Sequence, residues 1–422
     1  MQMQKGSEKD LKNLCGTDSL VNTFIDLTSY DTQANPDNKS SPSSIGQLRL
    51  GAHILRLIND IGFKATQNEK GAVIVHIEAS EGFENCKKLA LLAHLDTACD
   101  ASGCNVKPRL VKNFQDDAIA LDNGLIIDFD LCKDLKEHKG DDIIVTDGTT
   151  LLGADDKAGV AIMLQMLYTL KTTDLKHGPL CFVFSVDEEI GRSCDCITLD
   201  EIASNFAITI DGCNLGELDV ATFNAKGAIF TIHGKSIHTA VAYKSLINAI
   251  KIASNIINDL PLNEAPETTK DLDGFYHVHD IKGSVQEAFV KLIIRDFDKD
   301  ILAKREQFLI TLKDKYNAIY GSDTVDLKIV DQYQNMADTL KDHGEILDLC
   351  KEAFKRANVI VRENFVRGGT DGSHLSSKGL PCPNIFTGAL NCHGPYECLP
   401  VRSLHKSFDV VKELIQVVAT RG

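Results

Sequence analysis

An α/β fold, with a mixed sheet flanked by helices and interrupted by an inserted α+β unit, is predicted by three features of the 422-residue sequence. Short apolar runs, LALLAH at 89–94, CFVFS at 181–185, FAITI at 206–210 and PNIFTG at 383–388, have the length and composition of buried strands. Segments with apolar residues every three or four positions lie between them, which is the α/β pattern. After residue 221 the sequence turns to apolar–polar alternation, the mark of a half-exposed antiparallel sheet, and the first pattern resumes towards the C-terminus. The boundaries read from these changes are 1–221 and 335–422 for the main unit and 222–334 for the insertion.

Residues 16–30 carry apolar positions at helical spacing and predict a first amphipathic helix. ANPDNKSSPSS, at 34–44, is rich in Pro, Ser and Asn and predicts an exposed loop. A second helix follows from Leu48, Leu50, Ile54, Leu55, Ile58 and Ile61, ended by Gly62. GAVIVHIEA and LALLAH are strands, and His53 and His76 within this region read as packed or surface histidines. Residues 101–142 read as irregular, with short runs such as LIIDFDL and no assignable chemistry. A Gly-rich loop then feeds a helix that starts near Asp156 and continues through Val160, Met163, Leu164 and Leu167. In the insertion, the segments 245–260 and 299–320 read as helices, and four alternating stretches read as strands.

Composition narrows the function. Hydrophobic residues make up 43% and charged residues 25%, an ordinary globular profile. A formal net charge of −15 and the lack of a basic footprint exclude a nucleic-acid partner. The 13 cysteines include no Cys-x-x-Cys pair and read as reduced thiols; Cys194 and Cys196, the closest two, fall in what reads as a loop. No apolar leader and no run of about 18 apolar residues is present, so no membrane is implied and a cytoplasmic location is the expectation.

The strand candidates share a feature that composition does not explain: each ends on ionisable residues. LALLAH stops at His94 and Asp96, CFVFS runs into Glu188 and Glu189, FAITI runs into Asp211, and PNIFTG leads to His393. Ligands of open α/β sheets sit at the carboxyl ends of the strands. With Asp155 of LLGADDKAG, these runs bring two histidines and three carboxylates to one edge, enough donors for two metal ions. His94 and Asp96, two residues apart on a strand, project to the same face. Asp96 either holds the second ring nitrogen of His94 or assists through backbone or water; adjacency leaves both open. Asp155 and Asp156 read alternatively as a helix N-cap pair, although one cap needs only one Asp. Neighbouring glutamates point to opposite sides, so one binds metal while the other stays free as a base. Nitrogen and oxygen donors without thiolate suit two Zn²⁺ ions, with Co²⁺ or Mn²⁺ acceptable.

With AHLDT, TTLLGADDKAG, DEEIGR, IDG, GFYHVHDIKGSV, IIRDFD, RGGTDGSHLSSKGLPCPNIFTG and CHGPYE, the chain resembles the peptidase T family. These are tripeptide aminopeptidases of the dinuclear-zinc metallopeptidase superfamily. The resemblance spans about residues 20–400 and implies a zinc-peptidase-like catalytic domain with an inserted α+β lid domain. It implies that Asp155 bridges two metals, that His94 and Asp211 complete one site, and that Glu189 and His393 complete the other. Asp96 would orient His94, Glu188 would be the general base, and the Asp155–Asp156 peptide would be cis. In the lid, His238 would stabilise the oxyanion, and Arg295 and Arg367 would bind the substrate carboxylate or serve as structural ion-pair partners. HTAVAYKS after His238 departs from the Pro-Gly turn usual in the family. The expected function is release of the N-terminal residue from tripeptides, and a homodimer is compatible with it. The rivals are a dipeptidase, a carboxypeptidase, an N-acyl amino acid deacylase and a catalytically silent peptide-binding protein.

Overall fold

The structure is a computed structural model that describes residues 18–421. The N-terminal stretch read as lacking an apolar leader, and the first residues of the helix expected at 16–30, lie outside the described residues. The chain divides into two compact units. One comprises the residues up to Val220, Thr339–Asn364 and Thr370 onward; the other comprises Ala221–Asp338 and Phe365–Gly369.

The first unit is built on an eight-stranded sheet. Its order is Ala65–Gln67, Val73–Ile77, Leu180–Ser185, Leu89–His94, Phe206–Gly212, Asn384–Phe386, Glu217–Thr222 and Arg362–Val366. The strand Leu89–His94 runs parallel to both of its neighbours, and Asn384–Phe386 runs parallel to Phe206–Gly212. The outer pairings are antiparallel, which makes the sheet mixed. Every residue of Leu89–His94 and Leu180–Ser185 is buried, consistent with near-continuous apolar sequences covered on both faces. Helices supply that cover. Ala154–Thr172 packs on the His94 and Asp211 strands, and Ser19–Thr28 and Val401–Arg421 pack on Ala154–Thr172. Leu20, Val21, Phe24 and Leu27 of Ser19–Thr28 are buried at spacings of one, three and three, and burial of each contributes roughly 1.5–3 kcal/mol. The helix Ile45–Ile61 ends at Gly62, whose φ of 101° is the left-handed stop its sequence predicts.

Residues 101–142 are more ordered than their sequence suggests. Arg109–Val111 pairs with Ile143–Val145, which also pairs with Cys398–Pro400, while Ala118–Ala120 and Ile126–Asp128 form a separate hairpin. Phe114, Ile119, Leu121, Ile127, Leu135, Ile143, Val145 and Leu390 give this region a small core of its own. Strands of three residues are too short to show a period, so this order was not legible.

The second unit has a four-stranded antiparallel sheet in the order Phe275–Gly283, Glu287–Asp296, Asn224–His233 and Val325–Tyr333. The helices Ala249–Asn258 and Lys299–Tyr320 pack on it around Phe230, Ile232, Val290, Leu292 and Leu309. No helix among the described residues is long and apolar enough to cross a membrane.

Candidate metal centre and active site

Parallel pairing places His94 opposite Ser185 at the ends of adjacent strands, and Asp211 is the penultimate residue of the next strand over. Asp155 stands at the irregular start of the helix Ala154–Thr172. Neither Asp155 nor Asp156 has helical dihedrals, and the peptide between them is cis. His393 comes from the loop after Asn384–Phe386 and has a φ of 68°. All of these residues belong to the first unit.

The structure brings the five predicted ligands together. His94 Nε2 lies 2.9 Å from Asp155 Oδ1 and 3.5 Å from Asp211 Oδ1. His393 Nε2 lies 3.1 Å from Asp155 Oδ2 and 3.2 Å from Glu189 Oε2. Asp155 therefore offers one oxygen to each histidine. Among the described residues, donor atoms of His94, Asp155 and Glu189 fall within 4.8 Å of one another, as do those of His94, Asp156 and Asp211. Asp156 also accepts the backbone N–H groups of His94 at 3.1 Å and Gly159 at 3.1 Å. One of the two adjacent aspartates thus caps the helix, and the other faces the histidines.

The position of Asp96 resolves what adjacency left open. His94 Nδ1 is 3.1 Å from the Asp96 carbonyl oxygen and 3.5 Å from its carboxylate. The two carboxylate oxygens accept the backbone N–H groups of Glu188 and Glu189, both at 3.0 Å. Asp96 thus holds His94 through its backbone and the Glu188–Glu189 turn through its side chain.

Three further buried acids support the site. Glu397 accepts the N–H groups of Leu152 at 2.7 Å, Gly153 at 2.8 Å and Asp155 at 3.1 Å, which pins the Asp155 loop. Asp371 accepts the hydroxyls of Ser185, at 2.9 Å, and Ser193. Asp187 receives Ser43 and Gln47. The sequence reading assigned none of the three. Glu397 stands inside the CHGPYE motif and Asp187 directly after the CFVFSV run, which are the signals that mark them.

The electrostatics are those of crowded acids. Burial drives the Glu188 carboxyl well above its ordinary range, and Asp211, Asp371 and Asp96 add to that against the pull of His94. Burial and then Asp155 push Glu189 up to about 11, and burial with Asp155 pushes Asp211 up to about 7. Burial would also raise Asp155, but His393 and His94 beside it hold it well below the usual carboxylate range. The His94 imidazole would be lowered by burial, yet Asp211 and Asp155 outweigh this and raise it well above its ordinary value. Glu189 Oε1 is buried without a hydrogen-bond partner. Surplus buried acid and an unpartnered carboxylate oxygen are what a divalent cation neutralises, so the donor set fits a metal.

Residues 145–417 match the model of Peptidase family M20/M25/M40, and a peptidase T from Bacillus velezensis is 39% identical over 407 residues, covering 96% of this chain and 99% of the relative. The chain belongs to this peptidase family. Its fold is also that of a tripeptidase from Staphylococcus aureus, with a TM-score of 0.75 at 22% identity over 95% of this chain and 98% of that one. A dinuclear metal binding peptidase of family M20 from Bacillus subtilis superposes with a TM-score of 0.64 at 16% identity, covering 96% of this chain and 98% of that one. This family member is a metallo-aminopeptidase.

The remaining predicted residues lie in the second unit. His238 Nδ1 accepts the N–H of Ala240 at 3.2 Å. Arg295 donates to Gln332 Oε1 at 2.7 Å and lies over the Tyr333 ring. Arg367 donates to the carbonyls of Asp271 and Asp273 and to Thr269 Oγ1, with its guanidinium over Phe223 and Phe275. Arg367 thus has a structural task within its own unit. His53 stacks on Tyr30 beside Arg56, and His76 is exposed beside Lys88; neither takes part in the site.

Proposed function

We propose that this chain is a dinuclear zinc aminopeptidase that releases the N-terminal residue of tripeptides, with Glu188 as general base. The observation that supports it most is the sharing of Asp155 between two imidazoles beside the unpartnered oxygen of Glu189. His94, Asp155 and Asp211 would hold one ion, and Asp155, Glu189 and His393 the other. Nitrogen and oxygen donors without thiolate favour zinc, with cobalt or manganese as substitutes. When bound, such a pair supplies Lewis acidity toward a peptide carbonyl and lowers the pKa of water toward neutrality.

The chain's own residues do the rest. Glu188, which is not assigned to a metal, takes a proton from the attacking water on its carboxylate and hands it to the departing amine nitrogen. Asp96 keeps that glutamate in place by holding its N–H. His238 would stabilise the oxyanion, and the guanidinium of Arg295 would bind the far carboxylate of the substrate, which sets peptide length. Arg367, proposed for the same carboxylate, would join it only by giving up its bonds to Asp271, Asp273 and Thr269. A cytoplasmic setting belongs to the same proposal.

A panel of free-amine tripeptides, dipeptides and N-acylated amino acids, run with zinc and with a chelator, tests this reading. Tripeptides should be cleaved fastest, from the N-terminus, and the chelator should abolish cleavage. Faster turnover of dipeptides or acylated amino acids would replace the proposal with one of those hydrolases. Glu188→Gln should keep two ions per chain and lose about 100- to 10,000-fold in kcat. Near-normal turnover in that variant would remove Glu188 from the role.

A further inference from the structure

Glu188 and Glu189 form a single tight turn, Glu188–Ile190, entered from Asp187. Asp187 is fully buried and has a φ of 59°. A non-glycine residue stays in that left-handed region only when its surroundings impose it. Two residues from a distant part of the sequence do so. The Asp187 carboxylate accepts the N–H of Ser43 at 2.8 Å, the Ser43 hydroxyl at 2.5 Å and the Gln47 amide N–H at 2.7 Å. In return the Asp187 N–H donates to Gln47 Oε1 at 3.0 Å. One side-chain amide therefore grips both the backbone and the carboxylate of Asp187, and rotation of that residue breaks both bonds. Arg192 closes the turn by donating its N–H to the Asp187 carbonyl, while its guanidinium donates to the carbonyls of Asn38 and Pro36.

Gln47 and Ser43 are themselves buried. A carboxylate buried among neutral donors is a costly way to fill space, since apolar residues of the same volume pack as stably or better. A clamp that fixes direction accounts for that cost. Asp96 holds the turn by the N–H groups of Glu188 and Glu189, and the Ser43–Gln47 pair holds it by the residue before them.

We infer that Gln47, through Asp187, is a positioning residue that aims the Glu188 carboxylate. This rests on Glu188 being the general base. Gln47→Met keeps the volume and removes both bonds, and it is compared with Glu188→Gln and the double variant on trialanine in the zinc-loaded enzyme. Gln47→Met should lose about 10- to 100-fold in kcat, as a displaced catalytic group does, with KM little changed and two ions still bound by native mass spectrometry. In the Glu188→Gln background it should cost nothing further, because a residue acting through Glu188 has nothing left to aim. In the metal-free protein, the amides of 186–192 should exchange faster in Gln47→Met than in wild type. If Gln47→Met does not fold, Ser43→Ala removes one bond to the same carboxylate and should show the same pattern at smaller amplitude. Wild-type kcat in the folded, zinc-loaded variant, or an equal loss in both backgrounds, would overturn the inference while leaving the general-base reading intact. Wild-type turnover in Glu188→Gln would overturn the general-base reading and the inference with it.

Discussion

Asp219 accepts amide N–H groups from Asn364 at 2.8 Å and from Asn384 at 2.7 Å, and Asn384 Oδ1 in turn accepts the N–H of Asp211. Burial raises the Asp219 carboxyl to about 7. Since its ordinary value is 3.8, the folded state holds this proton through a range in which the unfolded chain has lost it. The contribution to stability is therefore full below pH 3.8, declines as the pH rises, and is gone above about 7. Asp219→Asn should flatten the fall in unfolding free energy between pH 4 and 7 by up to about 1.4 kcal/mol per pH unit relative to wild type. Denaturant unfolding at a series of pH values measures this, and parallel profiles for the two proteins would refute it. The residues that face one another at the centre were legible from their places beside apolar runs: His94 and Asp211 lie at strand ends, Glu189 follows a strand, and Asp155 stands at the start of a helix. Asp219 and Asp371 were not, because an acid that accepts neutral N–H and O–H groups looks in sequence like an acid in water; Asp187 and Glu397 carried a signal of place, after an apolar run and inside CHGPYE, but none of what they hold. Their partners, such as Asn384, Gln47, Ser193 and Leu152, lie far from them in the chain.

The helix Ala154–Thr172 carries the Asp155 loop at its start and lies on the strands that bear His94 and Asp211. Their separation is set at Gly159, where a Cβ would come within 2.2 Å of the Ile210 carbonyl oxygen and 2.5 Å of Asp156 Oδ1. A backbone oxygen cannot step aside as a flexible side chain can, so Gly159→Ala must push the helix off the strand. The expected cost is about 1–3 kcal/mol of stability, and zinc should bind more weakly because Asp155 and Asp211 move apart. Thermal unfolding and a zinc titration read the two effects; wild-type values in both would show that the interface yields without harm. The helix was legible from its apolar period, and so were the strands it covers. The order of strands was not. Nothing local places Leu180–Ser185 between Val73–Ile77 and Leu89–His94, because a buried strand presents apolar residues on both faces whichever neighbour it takes. The three-residue strands at 109–145 escaped for the opposite reason, having too few residues for any period.

Each compact unit has its own apolar core, and every acid and imidazole of the proposed metal centre belongs to the first. The repulsion among Glu188, Glu189, Asp211 and Asp155 is therefore a load on one unit, and a cation that relieves it stabilises that unit by mass action, by about 4 kcal/mol at a thousandfold excess over its Kd. Strands Leu89–His94 and Phe206–Gly212 and the loops at 150–160, 186–192 and 388–397 carry the donors, so protection should appear there first. Hydrogen exchange of the metal-free protein with and without added zinc should show slowed amides concentrated in those segments. The antiparallel strands Asn224–His233, Glu287–Asp296 and Val325–Tyr333, which contribute none of the donors, should change little. Glu189→Gln, which removes one charge and one proposed ligand, should reduce the zinc-dependent gain at 150–160 and 388–397 more than at 89–94, since Glu189 shares its contacts with His393 and Asp155. Equal protection across both units on adding zinc, or none at the strand ends, would mean that the ion binds elsewhere and that the crowded acids are held apart by some other means.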